Sequence, residues 1–280
     1  MPDHGAPRVI PGGVLGDSED LATSPGRLFF VVGAFDGLHR GHTYLLARLR
    51  AAAARHAARP AVITFDHHPD EILVGAAPPV LCDPAERLVR FGRAGVEVVV
   101  VQHFDAAVRM TPYAEFAAAI ARRFELAGFL MTPDAAFGHE RGGTPAALAE
   151  LGRSVGFAVD VVEPFELDGR PVRSTDIRSE IATGDLPGAR WLLGRSVAVV
   201  GRLDGDRVAF ELPVALPPAG RYRVEVEPAW APGQAQASRP VPAVGMVERG
   251  SGGPSLSLEI RPGVLLSAGE RVRIRFIRAA

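Results

Sequence analysis

Residues 28–42 read LFFVVGAFDGLHRGH. The stretch opens on an unbroken apolar run, as a strand buried on both faces of a parallel sheet would. It passes through a loop bracketed by Gly33 and Gly37 and enters a segment of helical period. From His42 to His56, Leu45, Leu46, Leu49 and Ala53 share one face, while Arg48, Arg50 and Arg55 fall elsewhere. The alternation then repeats. PAVITF (60–65) predicts a strand, PAERLVRFGRA (84–94) a helix, and the valine-rich run 96–101 a strand. Residues 112–124, with Phe116 and Ile120 four apart, predict a helix, and GFLM (128–131) a strand. A helix over 145–155 and a strand AVDVV (158–162) follow. Strands alternating with helices predict an α/β fold, a doubly wound parallel sheet. Ligands of that class bind at the carboxyl ends of the strands.

The pattern changes after Leu193. Six short strand-like runs follow: SVAVVGRL, RVAFELPV, YRVEVEP, VPAVGMVE, SLSLEI and RVRIRFI. Helical period disappears and Pro/Gly turns separate the runs, so a second, smaller all-β barrel or sandwich is expected. The expected organisation is a flexible tail over 1–26, an α/β domain over 27–194 and the β domain over 195–280. The tail is rich in Gly, Pro, Asp and Ser, with one extended piece near Val9 and Ile10.

At 280 residues, 47% hydrophobic and 22% charged, the chain has the composition of a globular protein of one or two domains. The 31 basic and 32 acidic residues give a net charge of -1, so neither nucleic acid nor a membrane surface is an expected partner. All the basic residues other than histidine are arginine. This removes a phosphate-loop lysine, a Schiff-base lysine and a lysine general base. Cys82 is the only cysteine, which rules out an intrachain disulfide or a cysteine-based zinc site and reads as a buried thiol. No apolar run reaches the roughly 18–20 residues that span a bilayer. The opening residues carry no signal pattern, so a cytoplasmic location and small-molecule substrates are expected. Nothing in the sequence specifies an oligomeric state.

The loop itself carries chemistry. Gly33 and Gly37 let backbone approach a ligand, and the helix starting near Gly41 aims free N–H groups and a positive dipole end at the same place. His39 and His42 are three apart, so a shared face of the first helical turn is expected. Two imidazoles with several amides suit a polyphosphate undergoing displacement. His-x-x-His also suits zinc if a carboxylate supplies a third ligand, or two plain surface histidines. No protein metal site is assigned.

GAFDGLHRGH resembles the GxFDGxHxGH signature of the nucleotidyltransferase superfamily, whose domain is Rossmann-like. TFDHHP (64–69) with PDEIL, the segment Asp134-Ala135-Ala136-Phe137-Gly138 with Gly142-Gly143, and Ser174-Thr175-Asp176-Ile177-Arg178 resemble, in the right order, later motifs of bacterial FAD synthetases. LLGR (192–195) closes the similarity, which covers about residues 28–195. The resemblance implies transfer of AMP from ATP to FMN, giving FAD and pyrophosphate with Mg²⁺. By it, His39 and His42 lie over the ATP phosphates, Arg178 grips the leaving pyrophosphate, and Ser174 and Thr175 donate to it. Gly33, Phe35, Asp36, Gly37 and Gly41 line the nucleotide site, and Phe65, Asp66, His68, Pro69, Phe137 and Gly138 the flavin pocket. Phe65 also reads as core, His67 as a solvated neighbour, and Asp134 as a ligand-orienting group or a turn cap.

Three departures stand out. Ala34 replaces a residue that is often polar in the family. Arg173 replaces the first serine of SSTxIR; a lost phosphate contact costs about 1–3 kcal/mol. The trailing β domain resembles the riboflavin kinase barrel of bifunctional members but has VVGRLDGDRVAFELPV where their GxPTAN loop stands. A barrel without kinase activity is therefore expected, with Glu259 either at the place of the kinase glutamate or simply solvent-facing. Two other functions are compatible with the residues: nucleotidyl transfer to another phosphate-bearing acceptor, and non-catalytic flavin or nucleotide binding.

Overall fold

A computed structural model describes residues 6–10, 26–231, 239–250, 253–260 and 269–280. The chain divides into two compact units. One comprises Met1–Phe35, Gly41–Pro78 and Leu88–Glu166, the other Asp36–Arg40, Pro79–Arg87 and Leu167–Ala280.

The first unit is built on β1 (Arg8–Ile10), β2 (Arg27–Val32), β3 (Arg59–Phe65), β4 (Val98–Gln102), β5 (Glu125–Met131) and β6 (Ala158–Val161). They form one sheet in the order β1-β4-β3-β2-β5-β6, parallel throughout. Its helices are α1 (Arg40–Arg55), α2 (Pro69–Leu73), α3 (Pro84–Arg93), α4 (Ala106–Met110), α5 (Tyr113–Arg123) and α6 (Pro145–Val155); α1 and α3 start in residues of the other unit. Leu28, Phe29 and Phe30 of β2 are all fully buried, which needs cover on both faces. Leu28 and Phe30 join Ile63, Val100, Phe129 and Met131 in a core with Phe116 and Ile120 of α5 and Leu148 of α6. Phe29 stacks on His56, just past α1, at 4.7 Å. Each such side chain contributes roughly 1.5–3 kcal/mol through burial. The chain runs from β2 outward to β3 and β4, then returns to β5 and β6 on the other side of β2. That reversal puts the switch point between β2 and β5, with all strand carboxyl ends on one edge.

The extended piece expected near Val9 and Ile10 is a strand, Arg8–Ile10, paired in register with Val98, Val99 and Val100, and Ile10 is buried. The pairing satisfies an edge of β4 that would otherwise be open. The other tail residues, 1–5 and 11–25, lie outside the described residues. The two five-residue helices were not foreseen. Each is set by a local cap, His68 for α2 and Asp105 for α4.

The second unit holds the hairpin partner β8 (Arg170–Pro171) of β7 (Glu166–Leu167), then α7 (Ser174–Thr183) and α8 (Leu186–Leu193). Gly184 and Gly194 end the two helices in left-handed conformation. Six antiparallel strands close the barrel: β9 (Ala198–Asp204), β10 (Arg207–Ala209), β11 (Gly220–Pro228), β12 (Val241–Gly250), β13 (Gly253–Ile260) and β14 (Arg271–Ala279). Alternate residues such as Val224, Val226, Val272, Ile274 and Phe276 are buried, as the period-2 pattern requires. Residue 195 marks the approach to the first barrel strand, but the compact unit reaches further. Arg271 Nη2 lies 2.6 Å from Asp83 Oδ2, and the buried Arg273 bonds Glu86 at 3.1 Å and Glu227 at 2.8 Å. Val80 bridges to Val214. These contacts tie residues 79–87 to the barrel across nearly two hundred residues of chain.

Candidate active site

The loop after β2 belongs partly to each unit. In the first unit, the Gly33 N–H donates to Ile63 O at 3.0 Å. Phe35 has a positive φ of 53° and is buried, with its ring edge-on to Phe91 at 5.3 Å and 5.1 Å from the His42 ring. Phe35 is therefore packed into the core of this unit. His42 is the third residue of α1 and half-buried, where the first-turn amides point. Gly41 is the second residue of that helix.

The remaining loop residues pack in the second unit. The Asp36 carboxylate is buried and accepts from the Leu81 N–H, at 3.0 Å on Oδ1 and 3.1 Å on Oδ2. Arg178 Nη2 donates to Asp36 Oδ2 at 2.5 Å, and its Nε to Pro79 O at 2.8 Å. Ser174 Oγ donates to Asp36 O at 3.1 Å. Asp36 thus anchors the start of α7. Gly37 has φ 80°, and a Cβ there would meet Leu81 at 3.1 Å, so backbone conformation and close packing both call for glycine here. Thr175 is exposed on the first turn of α7, and Arg173, just before that helix, is also exposed.

His39 lies one residue before α1, not in its first turn, so the shared helical face expected for the two histidines does not form. Burial, with the Arg195 guanidinium as a second cause, pushes the His39 imidazole down to about 4. It is neutral at pH 7. Sequence reasoning missed Arg195, whose only signal was its place at the end of the LLGR segment.

On the carboxyl edge of the first unit, Phe65 ends β3 half-buried, with Phe104 edge-on at 5.1 Å. Asp66 follows, exposed. Its Oδ2 lies 2.7 Å from His103 Nδ1, and its Oδ1 accepts from the N–H groups of His67 at 2.7 Å and Phe104 at 3.2 Å. Burial opposes ionisation of Asp66, but the bonds from His103 and the two amides outweigh it and lower its pKa. The bond from Asp66 raises that of His103. His68 Nδ1 accepts from Asp70 N at 3.2 Å and caps α2, and Pro69 is that helix's first residue. His103 was not singled out from the sequence. Its position one residue past β4, matching Asp66 after β3, is the signal that would have found it.

Past β5, Asp134 Oδ1 accepts from Thr132 Oγ1 at 2.8 Å, a local turn bond. The Phe137 ring packs on Phe116 and Phe129, each at 5.5 Å, so it extends the core. Gly138, at φ 77°, would bring a Cβ within 2.6 Å of Tyr113 N, a position only glycine fits. A cleft of the first unit, about 750 Å³, lies at the opposite edge around Arg8, Arg50 and Arg59. Those are the amino ends of the strands, away from where ligands of this class bind. Cys82 is buried, as expected. No helix among the described residues is long and apolar enough to cross a membrane.

The FAD synthetase family model matches residues 22–176, ending two residues short of Arg178. The bifunctional riboflavin kinase/FMN adenylyltransferase of Pseudomonas fluorescens is 33% identical over 183 residues, covering 65% of this chain and 59% of that protein. The protein of the same name from Haemophilus influenzae is 31% identical over 207 residues, covering 71% of this chain and 61% of that protein. The matched stretch therefore spans about three fifths of the length of these curated relatives. Among solved structures, a macrolide-efflux protein from Streptococcus pneumoniae superposes with a TM-score of 0.78 at 22% identity, covering 97% of this chain and 90% of that one, a likeness of fold. With more than half of its residues matched to the family model, the chain belongs to the FAD synthetase family.

Proposed function

We propose that the protein transfers AMP from ATP to FMN, giving FAD and pyrophosphate. One observation carries the reading. The family match runs through the loops after β2, β3 and β5 to the start of α7, and so takes in every chemistry-bearing segment except Arg178. The paired names of the curated relatives support the same transfer.

In the proposed reaction a phosphate oxygen of FMN bonds to the α-phosphorus of ATP as the bond to pyrophosphate breaks. Such a displacement depends on alignment and charge stabilisation more than on covalent help. His42 and the first amides of α1 meet the developing negative charge. His39, neutral at pH 7, offers a ring N–H as a hydrogen-bond donor, and a bound anion would raise its pKa. Arg178 has Nε and Nη2 fixed on Pro79 and Asp36, which aims the guanidinium for pyrophosphate. Ser174 is tied to Asp36, leaving Thr175 as the exposed hydroxyl of the pair. Asp66 is the polar group of the flavin-facing loop; His68 and Phe137 contribute through the cap and the core they build. Mg²⁺ enters with ATP and neutralises phosphate charge. Bound in that way, it would be held mostly through phosphate oxygens and water.

The barrel is proposed to lack riboflavin kinase activity. Residues 199–214, VVGRLDGDRVAFELPV, contain no PTAN sequence. Glu259 is exposed and bonded by Arg221 at 2.8 Å. Non-catalytic binding is the second reading, favoured by the engagement of Arg178 with Asp36. The test is turnover with MgATP and either FMN or riboflavin, followed by separation of the flavins. FAD from FMN with no FMN from riboflavin is expected. Tight flavin binding without product would establish the second reading, and FMN from riboflavin would restore the kinase.

A further inference from the structure

We propose that Asp66, His67 and His103 form a binding site for a first-row transition-metal cation, Zn²⁺ foremost, that bridges the loops after β3 and β4. Asp66 and His67 directly follow β3, and His103 directly follows β4, so the parallel sheet brings them to one edge. One donor atom from each lies within 4.8 Å of the other two, and no other trio of His, Cys, Asp or Glu among the described residues does so. His103 Nδ1 and Asp66 Oδ2 are 2.7 Å apart, and the two imidazole rings stand 5.7 Å apart at 84°. Zinc bonds of about 2.0–2.2 Å place tetrahedral ligands roughly 3.3 Å from one another. The Asp66–His103 edge therefore opens slightly, while the His67 ring swings inward. Exposures of 35%, 48% and 59% for Asp66, His67 and His103 make both motions inexpensive and leave the trio open to solvent.

The surroundings are those of a ligand set. Asp66 Oδ1 is held by two backbone N–H groups, which orients Oδ2 toward His103. Glu71 Oε2 lies 3.3 Å from His67 Nδ1, the place of the carboxylate that fixes a histidine tautomer and leaves Nε2 to ligate. An Asp–His pair alone accounts for Asp66 and His103 but gives no reason for the second imidazole beside them. Two imidazoles and one carboxylate favour Zn²⁺, Co²⁺, Ni²⁺ or Cu²⁺ over Mg²⁺. Water completes the coordination.

The site shares Asp66 with the flavin-facing loop but does not rest on adenylyl transfer. Its test uses the full chain, stripped with chelator and dialysed, and needs no turnover. Zn²⁺ is titrated by calorimetry and Co²⁺ by its visible absorption. One equivalent is expected to bind in the micromolar range or tighter and to resist millimolar Mg²⁺. His67→Ala and His103→Ala are each expected to weaken binding by about tenfold or more, with His67→Gln and His103→Gln as second variants should either alanine form fail to fold. Absence of saturable binding, displacement by Mg²⁺, or affinity unchanged in either histidine variant would overturn the site.

Discussion

Asp36 and Arg178 are 142 positions apart, yet they form the closest ion pair of the HxGH loop, at 2.5 Å with only 7% and 15% of their side chains exposed. Breaking a buried pair costs roughly 3–5 kcal/mol, and Arg178 keeps some solvent, so Asp36→Asn is expected to cost about 2–3 kcal/mol in urea unfolding. Unchanged stability with weakened ATP binding would make Asp36 a ligand contact instead. His39 sets a second expectation. Its pKa is about 4 in the folded chain against the 6.5 of a free imidazole, so the unfolded chain binds the extra proton between those limits. Its contribution is therefore intact above pH 6.5 and is lost progressively as pH falls toward 4. At pH 5 this amounts to about 2 kcal/mol. Urea unfolding at pH 7.5 and 5.0 should show that extra loss in the parent chain and not in His39→Gln; equal losses would remove His39 as its source. The sequence made both histidines legible through their spacing, but a motif names residue types and not partners. The Asp36–Arg178 pair depends on tertiary packing, so no local pattern carried it.

At the scale of elements, period was a good guide where one face is buried. The valine run of β4 and the Phe116/Ile120 pair of α5 declared themselves, because burial fixes which positions are apolar. The short α2 and α4 follow instead from single capping side chains, and β1 from pairing with a partner far along the chain. Neither cause leaves a periodic trace. The segment after β5 was legible as a motif, but its reading as flavin pocket overlooked how its backbone is held. Gly138 combines φ 77° with a would-be Cβ 2.6 Å from Tyr113 N, and Phe137 bridges to Gly143. Gly138→Ala is expected to destabilise by about 1–3 kcal/mol, since both backbone strain and a backbone clash oppose it. Gly142→Ala, whose Cβ would come no nearer than 3.3 Å to the Tyr113 ring and 3.4 Å to His139 O, and which has no positive φ, is the control. Thermal melts of the pair test this. Equal melting temperatures would mean that the loop relaxes and that Gly138 is not required by shape.

At the scale of the whole chain, the change of period after Leu193 announced a β module, and six strand-like runs became six barrel strands. The sequence did not announce that residues 79–87 belong with that barrel, because their ties are ion pairs spanning up to 188 positions. Arg273 carries the tie. Its side chain is 4% exposed and lies between Glu86 at 3% and Glu227 at 7%, with its guanidinium 4.5 Å over the Trp230 ring. Cutting the chain after residue 195 removes Arg271 and Arg273, the barrel arginines bonded to Asp83 and Glu86, and the Val214 strand contact of Val80. Glu86 would then keep a desolvated carboxylate without Arg273. A fragment of residues 1–195 is thus expected to aggregate or to unfold non-cooperatively, rather than to behave as a free transferase domain. Arg273→Ala in the full chain isolates the electrostatic part. Two buried carboxylates without their shared cation are expected to cost about 3–5 kcal/mol in urea unfolding, whereas Arg273→Met should cost less by retaining the packing on Trp230. A fragment that melts cooperatively, together with a loss below about 1 kcal/mol for Arg273→Ala, would show that residues 79–87 hold their place without the barrel.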